Sequence, residues 1–176
     1  MVNIHKVTDI FPEYRDTPAG RLLEYQNLRR PLDTFDHAEL LIGMCMDNRN
    51  RLRIPDNFAF IIRTGGANMQ YSEFMVSFAI SVGSVGHMAL IGHSDCGMAN
   101  LSSRRDQFIE GLSQTAGWTR DRAEEHFRQY APVFEIRNEL DFILSETVRL
   151  RANYPSILVV PMIYRVEDHR LYLVRE

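Results

Sequence analysis

Cysteine is scarce in this chain. With only Cys45 and Cys96 among 176 residues, at most one disulfide can form, which excludes a disulfide-stapled scaffold. Long apolar runs are also missing. The longest, around Leu40–Met46 and Ile157–Tyr164, fall far short of the ~20 residues of a membrane helix, so no membrane association is expected. The opening segment carries Asp9, Glu13, Asp16 and Glu24 and no apolar stretch. It does not read as a secretory signal, and a reducing, cytoplasmic location is expected. A formal charge of −3 gives no global attraction for nucleic acid or anionic lipid, so neither is expected as a partner. Lysine is nearly absent: Lys6 stands alone beside 19 arginines. Arginine suits interfaces and bidentate pairs, which is compatible with a homo-oligomer, although genome composition explains it equally well. There is no internal repeat and no low-complexity tract. What is present is 45% hydrophobic and 24% charged, the mix of one ordinary globular domain.

Residues 1–37 are polar and punctuated by Pro12, Pro18 and Pro31. Leu22, Leu23, Tyr25 and Leu28 predict a helix from about Thr17 to Arg30. This N-terminal arm either packs on another subunit or lies on its own domain. Residues 38–176 read as an α/β domain. Ala38–Met44, Phe58–Arg63 and Gly86–Gly92 are short, nearly continuous in apolar residues and bounded by turn signals, as in a sheet covered on both faces. Ser156–Tyr164 is a fourth strand, with Pro161 expected at its end, at an edge or in a bulge. Arg170–Arg175 alternates like an edge strand. Tyr71, Phe74, Met75, Phe78, Ala79 and Val82 share one helical face, with Asn68 or Ser72 as cap. A second strong helix is predicted from Pro132 to Ala152, with Val133, Ile136, Leu140, Ile143, Leu144 and Val148 on one face. A weaker helical stretch, Ser102–Gln129, breaks near Gly117. Strands alternating with helices imply crossovers and a mostly parallel central sheet flanked by helices.

The first strand leads into Cys45-Met46-Asp47-Asn48-Arg49, and the third into Gly92-His93-Ser94-Asp95-Cys96-Gly97. In an open parallel sheet, ligands bind beyond the carboxyl ends of the strands, so Cys45, His93 and Cys96 are placed to meet. Two thiolates and an imidazole suit tetrahedral zinc, and three protein ligands are the catalytic rather than the structural set. A turn starting a helix at His93-x-x-Cys96 would favour thiolate at Cys96. The alternative is a pair of buried structural cysteines beside an unrelated histidine. Asp47 could accept the proton of a zinc-bound hydroxide and aim its lone pair, with Arg49 clamping the carboxylate. Unclamped, Asp47 could become a fourth zinc ligand and close the site. Elsewhere an Asp-x-Arg pair would be read as a surface ion pair.

Cys45-x-Asp47-x-Arg49 followed by His93-x-x-Cys96-Gly97 resembles the β-class carbonic anhydrases. Met46 and the run His93-Ser94-Asp95-Cys96-Gly97-Met98 are most similar to the short microbial branch, which also includes carbonyl sulfide and carbon disulfide hydrolases. The resemblance implies Zn2+ on Cys45, His93 and Cys96, and a nucleophile oriented by Asp47 and Arg49. It implies a strand order of 2-1-3-4 plus an edge strand, and active sites at a homodimer or higher homo-oligomer interface. The implied reaction is reversible hydration of carbon dioxide to bicarbonate. The rivals are carbonyl sulfide or carbon disulfide hydrolysis on the same zinc, and a zinc-binding regulatory or structural homologue without turnover. Gly65, Gly66 and Ala67 lie where the family places a substrate-side loop, so a Gly65 or Gly66 N–H could meet a substrate oxygen; a plain turn accounts for them equally. His87 and His126 could relay the proton, and both also read as surface histidines. Asn48, inside the first motif, and Thr64, after the second strand, depart from the family pattern.

Overall fold

The computed structural model describes residues 1–176. Its centre is a six-stranded sheet. In chain order the strands are β1 (Val2–Asn3), β2 (Leu40–Cys45), β3 (Ala59–Thr64), β4 (His87–His93), β5 (Leu158–Arg165) and β6 (Arg170–Leu173). They lie side by side as β1-β6-β5-β4-β2-β3. The three central pairings of the sequence reading hold: β3, β2, β4 and β5 are parallel neighbours in that order. The helices are α1 (Pro12–Arg15), α2 (Pro18–Asn27), α3 (Glu73–Ser81), α4 (Arg105–Ala116), α5 (Arg120–Phe134) and α6 (Glu139–Asn153).

Several expectations need correction. Arg170–Arg175 is not the outermost strand, because Val2 and Asn3 pair antiparallel with Leu173 and Tyr172 outside it. Pro161 sits inside β5, opposite Leu90 of β4. The Leu158 N–H points to β4, so by alternation the nitrogen of Pro161 faces β6. There only the Val174 N–H to Pro161 carbonyl bond of that pair forms, so proline removes no bond to β4. Pro132 lies in the last turn of α5 rather than starting the next helix. Asn138 caps α6 instead, accepting the Leu140 and Asp141 N–H groups. The buried stripe of α6 is therefore Ile143, Glu146, Thr147 and Leu150, and Val148 faces outward.

The N-terminal helix lies on its own sheet. Thr17 caps α2 through the Gly20 N–H, and Leu22, Leu23 and Tyr25 are fully buried in the core on that face. Asn27 ties α2 to β6, donating to the Leu171 carbonyl at 2.7 Å and accepting its N–H at 2.9 Å. A second core lies on the opposite face beneath α3 and α6.

The stripe expected to bury α3 is mostly outside. Phe74 is 82% exposed and Val82 66%, while Val76 and Ala79 make the core contact. Helix α3 is apolar nearly all round, so periodicity could not say which stripe turns inward. Strand β3, expected to be covered on both faces, is an edge with Phe60 and Ile61 exposed.

Close packing also fixes the end of β4. A Cβ on Gly92 would lie 2.6 Å from Ile143 Cγ1 and 3.0 Å from Ile163 Cδ1. Gly92→Ala is expected to cost about 1–3 kcal/mol by overpacking, read as a lower denaturant midpoint at unchanged slope.

Candidate metal centre

Strand register builds the site. Met44 pairs with Ile91, so Cys45 and His93 leave the sheet side by side. After His93, Asp95 takes a left-handed turn at φ +56° and brings Cys96 back beneath the strand ends. The ligand atoms of Cys45, His93 and Cys96 lie within 4.8 Å of one another, and all three residues are buried. The two sulfurs are 4.0 Å apart. Two ~2.3 Å zinc–sulfur bonds at a tetrahedral angle would place them roughly 3.8 Å apart.

His93 carries the most specific sign of a missing partner. Its Nδ1 donates to the Ser94 carbonyl at 2.9 Å, since a carbonyl only accepts. That hydrogen bond fixes the tautomer and leaves a lone pair on Nε2. Nε2 is buried and has no hydrogen-bond partner. An orphaned imidazole nitrogen beside two thiols is the donor set that a metal ion satisfies.

The sequence expected a helix N-terminus at Cys96. The structure corrects this: the nearest helical turn begins at Leu101 and α4 only at Arg105. Thiolate character falls on Cys45 instead. The Cys96 thiol foremost, then the nearby His93 imidazole and the Asp47 and Gly66 backbone N–H groups, hold Cys45 well below the ordinary thiol range, against burial. Cys96 is pushed up, first by its bond to Cys45 and then by burial. For His93, burial disfavours the cation, but the neighbouring Cys45 sulfur outweighs it and raises the pKa.

Asp47 and Arg49 meet beside this cluster. Arg49 Nη2 reaches Asp47 Oδ2 at 2.8 Å, Nε reaches Oδ1 at 3.1 Å, and the Arg49 backbone N–H reaches Oδ1 at 2.9 Å. Asp47 therefore sits on Arg49 and is not among the clustered ligand atoms. The Arg49 side chain holds the carboxyl at about 2. Two residues to which the sequence assigned no role steady this loop. Asp95 accepts from Arg49 Nη1 at 2.8 Å, and Arg63 donates to the Cys45 and Asn50 carbonyls at 3.0 and 2.9 Å. A third, Glu139, accepts the Cys96 N–H at 3.1 Å. Asp95 stood inside a motif, but nothing in the local sequence marks Arg63 or Glu139.

The glycine loop is placed differently from expectation. The Gly66 N–H is directed to Cys45 sulfur, and Ala67 is fully buried. Only Gly65 of the three lines the adjoining cavity, an apolar chamber of about 370 Å³ walled by Met98, Phe108, Phe127, Tyr130 and Phe134. His126 also faces this chamber. His87 starts β4, the opposite end from His93, roughly 20 Å away at ~3.3 Å per residue. That distance removes His87 as a proton relay.

No family model and no curated protein sequence matches the chain. Solved structures do. A carbonic anhydrase from Glaciozyma antarctica matches at 19% identity and TM-score 0.62, covering 93% of this chain and 98% of that one. The fold is that of the β-carbonic anhydrases. A β-carbonic anhydrase from Trichomonas vaginalis matches at 18% identity and TM-score 0.62, covering 88% of this chain and 92% of that one. A carbon disulfide hydrolase matches at 21% identity and TM-score 0.57, covering 92% and 90%. These likenesses span nearly the whole chain, so the cluster lies within a shared framework rather than an appended module.

Two outcomes check the site. Cys96→Ala should bind metal far more weakly than the parent, read by metal content after gel filtration. Arg49→Gln should let the Asp47 carboxyl titrate near the ordinary value of about 3.9 instead of about 2, read by carbon-13 NMR. The sign is upward because the clamp favours the charged form.

Proposed function

We propose that this chain is a zinc enzyme that hydrates carbon dioxide to bicarbonate. The observation that supports it most is the buried set of Cys45, His93 and the partnerless Nε2 beside Cys96, adjoining a carboxylate already clamped by arginine. Cys45, His93 and Cys96 would hold the zinc. When bound, zinc supplies a water acidified toward ~7. Cys45 and Cys96, as thiolates, cancel the formal charge of the metal and move the working range to alkaline pH. Asp47, ionised at every working pH, can only accept a hydrogen bond, so it orients the attacking water without surrendering a proton. Arg49 keeps Asp47 in that role and off the metal. Neutral substrate fits the apolar side of the centre, where Gly65 and Met98 face the chamber. His126 in that chamber is the remaining candidate for carrying the proton outward.

A second reading keeps the same residues and replaces carbon dioxide with carbon disulfide or carbonyl sulfide. The chamber favours it, being far roomier and more apolar than carbon dioxide requires. One of the similar solved structures is itself a carbon disulfide hydrolase.

The working form is a homodimer or larger homo-oligomer. The exposed Phe60, Ile61, Phe74, Phe78 and Val82 form a large apolar surface on an edge strand and its neighbouring helix. A second copy would cover it. No helix is long and apolar enough to cross a membrane. A cytoplasmic, reducing location would keep both thiols free for metal.

Zinc content and turnover on all three substrates decide between these readings. About one zinc per chain is expected, with carbon dioxide hydration rising toward alkaline pH. Asp47→Ala should keep its zinc and lose roughly two orders of magnitude in rate. Zinc-replete protein with no hydration above buffer, or faster turnover of carbon disulfide, would overturn the first reading. Light scattering should show a multimer that Phe74→Asp combined with Phe78→Asp splits; a monomeric parent protein would sink the oligomer.

A further inference from the structure

A second cavity adjoins the metal centre on the face of the sheet that carries α2. Its volume is about 660 Å³, within the ~300–1,000 Å³ range of small-molecule sites. Its wall carries four arginines, Arg29, Arg49, Arg51 and Arg53, and no acidic residue. In a chain of net charge −3 this is a local excess of positive charge, focused in a concavity.

The four arginines are not equivalent. Arg49 is already neutralised by Asp47 and Asp95. Arg53 donates to the Tyr25 and Arg30 carbonyls at 3.2 and 2.7 Å, which fixes its position but leaves its charge unbalanced. The Arg29 and Arg51 side chains have no hydrogen-bond or ion-pair partner in the chain. Arg29 also holds a left-handed backbone at φ +58°, just past the end of α2, where the Arg30 N–H closes back onto the Glu24 carbonyl. Glycine is the favoured residue at such a position, since an L side chain is strained there. The turn is the ordinary close of α2; what points to a ligand is the pair of exposed, unpartnered guanidiniums, Arg29 and Arg51, on the rim of a cavity without acids.

Three unbalanced guanidinium charges match a dianion better than a monoanion, and their planar forks match phosphate oxygens. Leu52, Tyr164 and Val166 supply an apolar wall for an organic portion. We propose that this cavity binds a small phosphate monoester, with the phosphate on Arg29 and Arg51. Asn48 lines the same cavity, which gives this departure from the family motif a place beside the ligand. Because Arg49 touches both the cavity and Asp47, an occupant would bear on the clamp that orients the nucleophile. Binding itself does not depend on the hydration reading and is measured without turnover.

Calorimetry on the full-length, zinc-loaded protein tests it, with ribose 5-phosphate, inorganic phosphate, ribose and bicarbonate as probes. Ribose 5-phosphate should bind saturably, inorganic phosphate more weakly, and ribose and bicarbonate not measurably. Arg51→Gln and Arg29→Gly should each weaken the ester by about tenfold, the loss of one charge-assisted pair. Arg29→Gly should melt no lower than the parent, since glycine relieves the left-handed turn, so its lost affinity would not reflect misfolding. Arg175→Gln, which does not line the cavity, should change nothing. No heat of binding at about 10 mM ester, or affinity undiminished in both cavity variants, would overturn the site. Inorganic phosphate or bicarbonate binding as tightly as the ester would overturn the ester assignment.

Discussion

Two buried sulfurs 4.0 Å apart cannot both carry negative charge unless a cation lies with them. At that separation like charges repel by about 4 kcal/mol even at an effective dielectric of 20. A proton shared between the two sulfurs relieves the conflict, which pushes Cys45 down and Cys96 up. The surroundings nonetheless favour negative sulfur. The Asp47 and Gly66 N–H groups are aimed at Cys45, and the Met98 N–H at Cys96. His93 offers its only unused nitrogen to the same point. Two close sulfurs and an unpartnered imidazole nitrogen converging on one point form a donor set that a cation would complete.

That requirement explains details that packing alone does not. Cys96 lies in an irregular loop, where no helix lowers its pKa. The loop is held by Glu139 on the Cys96 N–H, by Ser94 Oγ accepting the Val166 N–H, and by a bridge between Ala99 and Ile136. The opposite loop is held by Arg63 on the carbonyls of Cys45 and Asn50. Each tie acts on backbone. The ligand side chains are therefore positioned by rigid strand ends and pinned loops rather than by one another.

Much of this was legible in the residues. Apolar runs bounded by turns located the four parallel strands, and the topology of a parallel sheet brought Cys45 and His93 together across the intervening chain. The motif pair carried the ligands and the Asp47–Arg49 clamp. What escaped was non-local or symmetric. Arg63 and Glu139 act on backbone groups far away in sequence, and no spacing encodes that. Helix α3 is apolar on all but the narrow stripe of Glu73, Ser77 and Ser81, so its pattern does not say which apolar side turns inward. Pro132 was read as a start because proline suits both a first turn and, where the broken bond is at a frayed end, a last one. Val2 and Asn3 are too short a strand to show any period.

The two cavities beside the centre divide its chemistry by polarity. On the side of α4 and α5 the wall is methionine, leucine and aromatic rings, interrupted by His126. On the side of α2 the wall is four arginines and two amides beside Leu52, Tyr164 and Val166. A neutral linear molecule gains nothing from the second wall, and an anion loses its hydration against the first. On the proposed reading, hydration or hydrolysis of such a molecule would turn a neutral reactant into an anion where the two sides meet. Arg49, paired with Asp47 on one flank and lining the arginine cavity on the other, stands at that boundary. An anion in the arginine cavity would therefore lie against the residue that holds Asp47. The same arginine that holds the Asp47 carboxylate thus separates an apolar wall from a cationic one, and because its own charge is balanced by Asp47 and Asp95, the cationic excess falls on Arg29, Arg51 and Arg53.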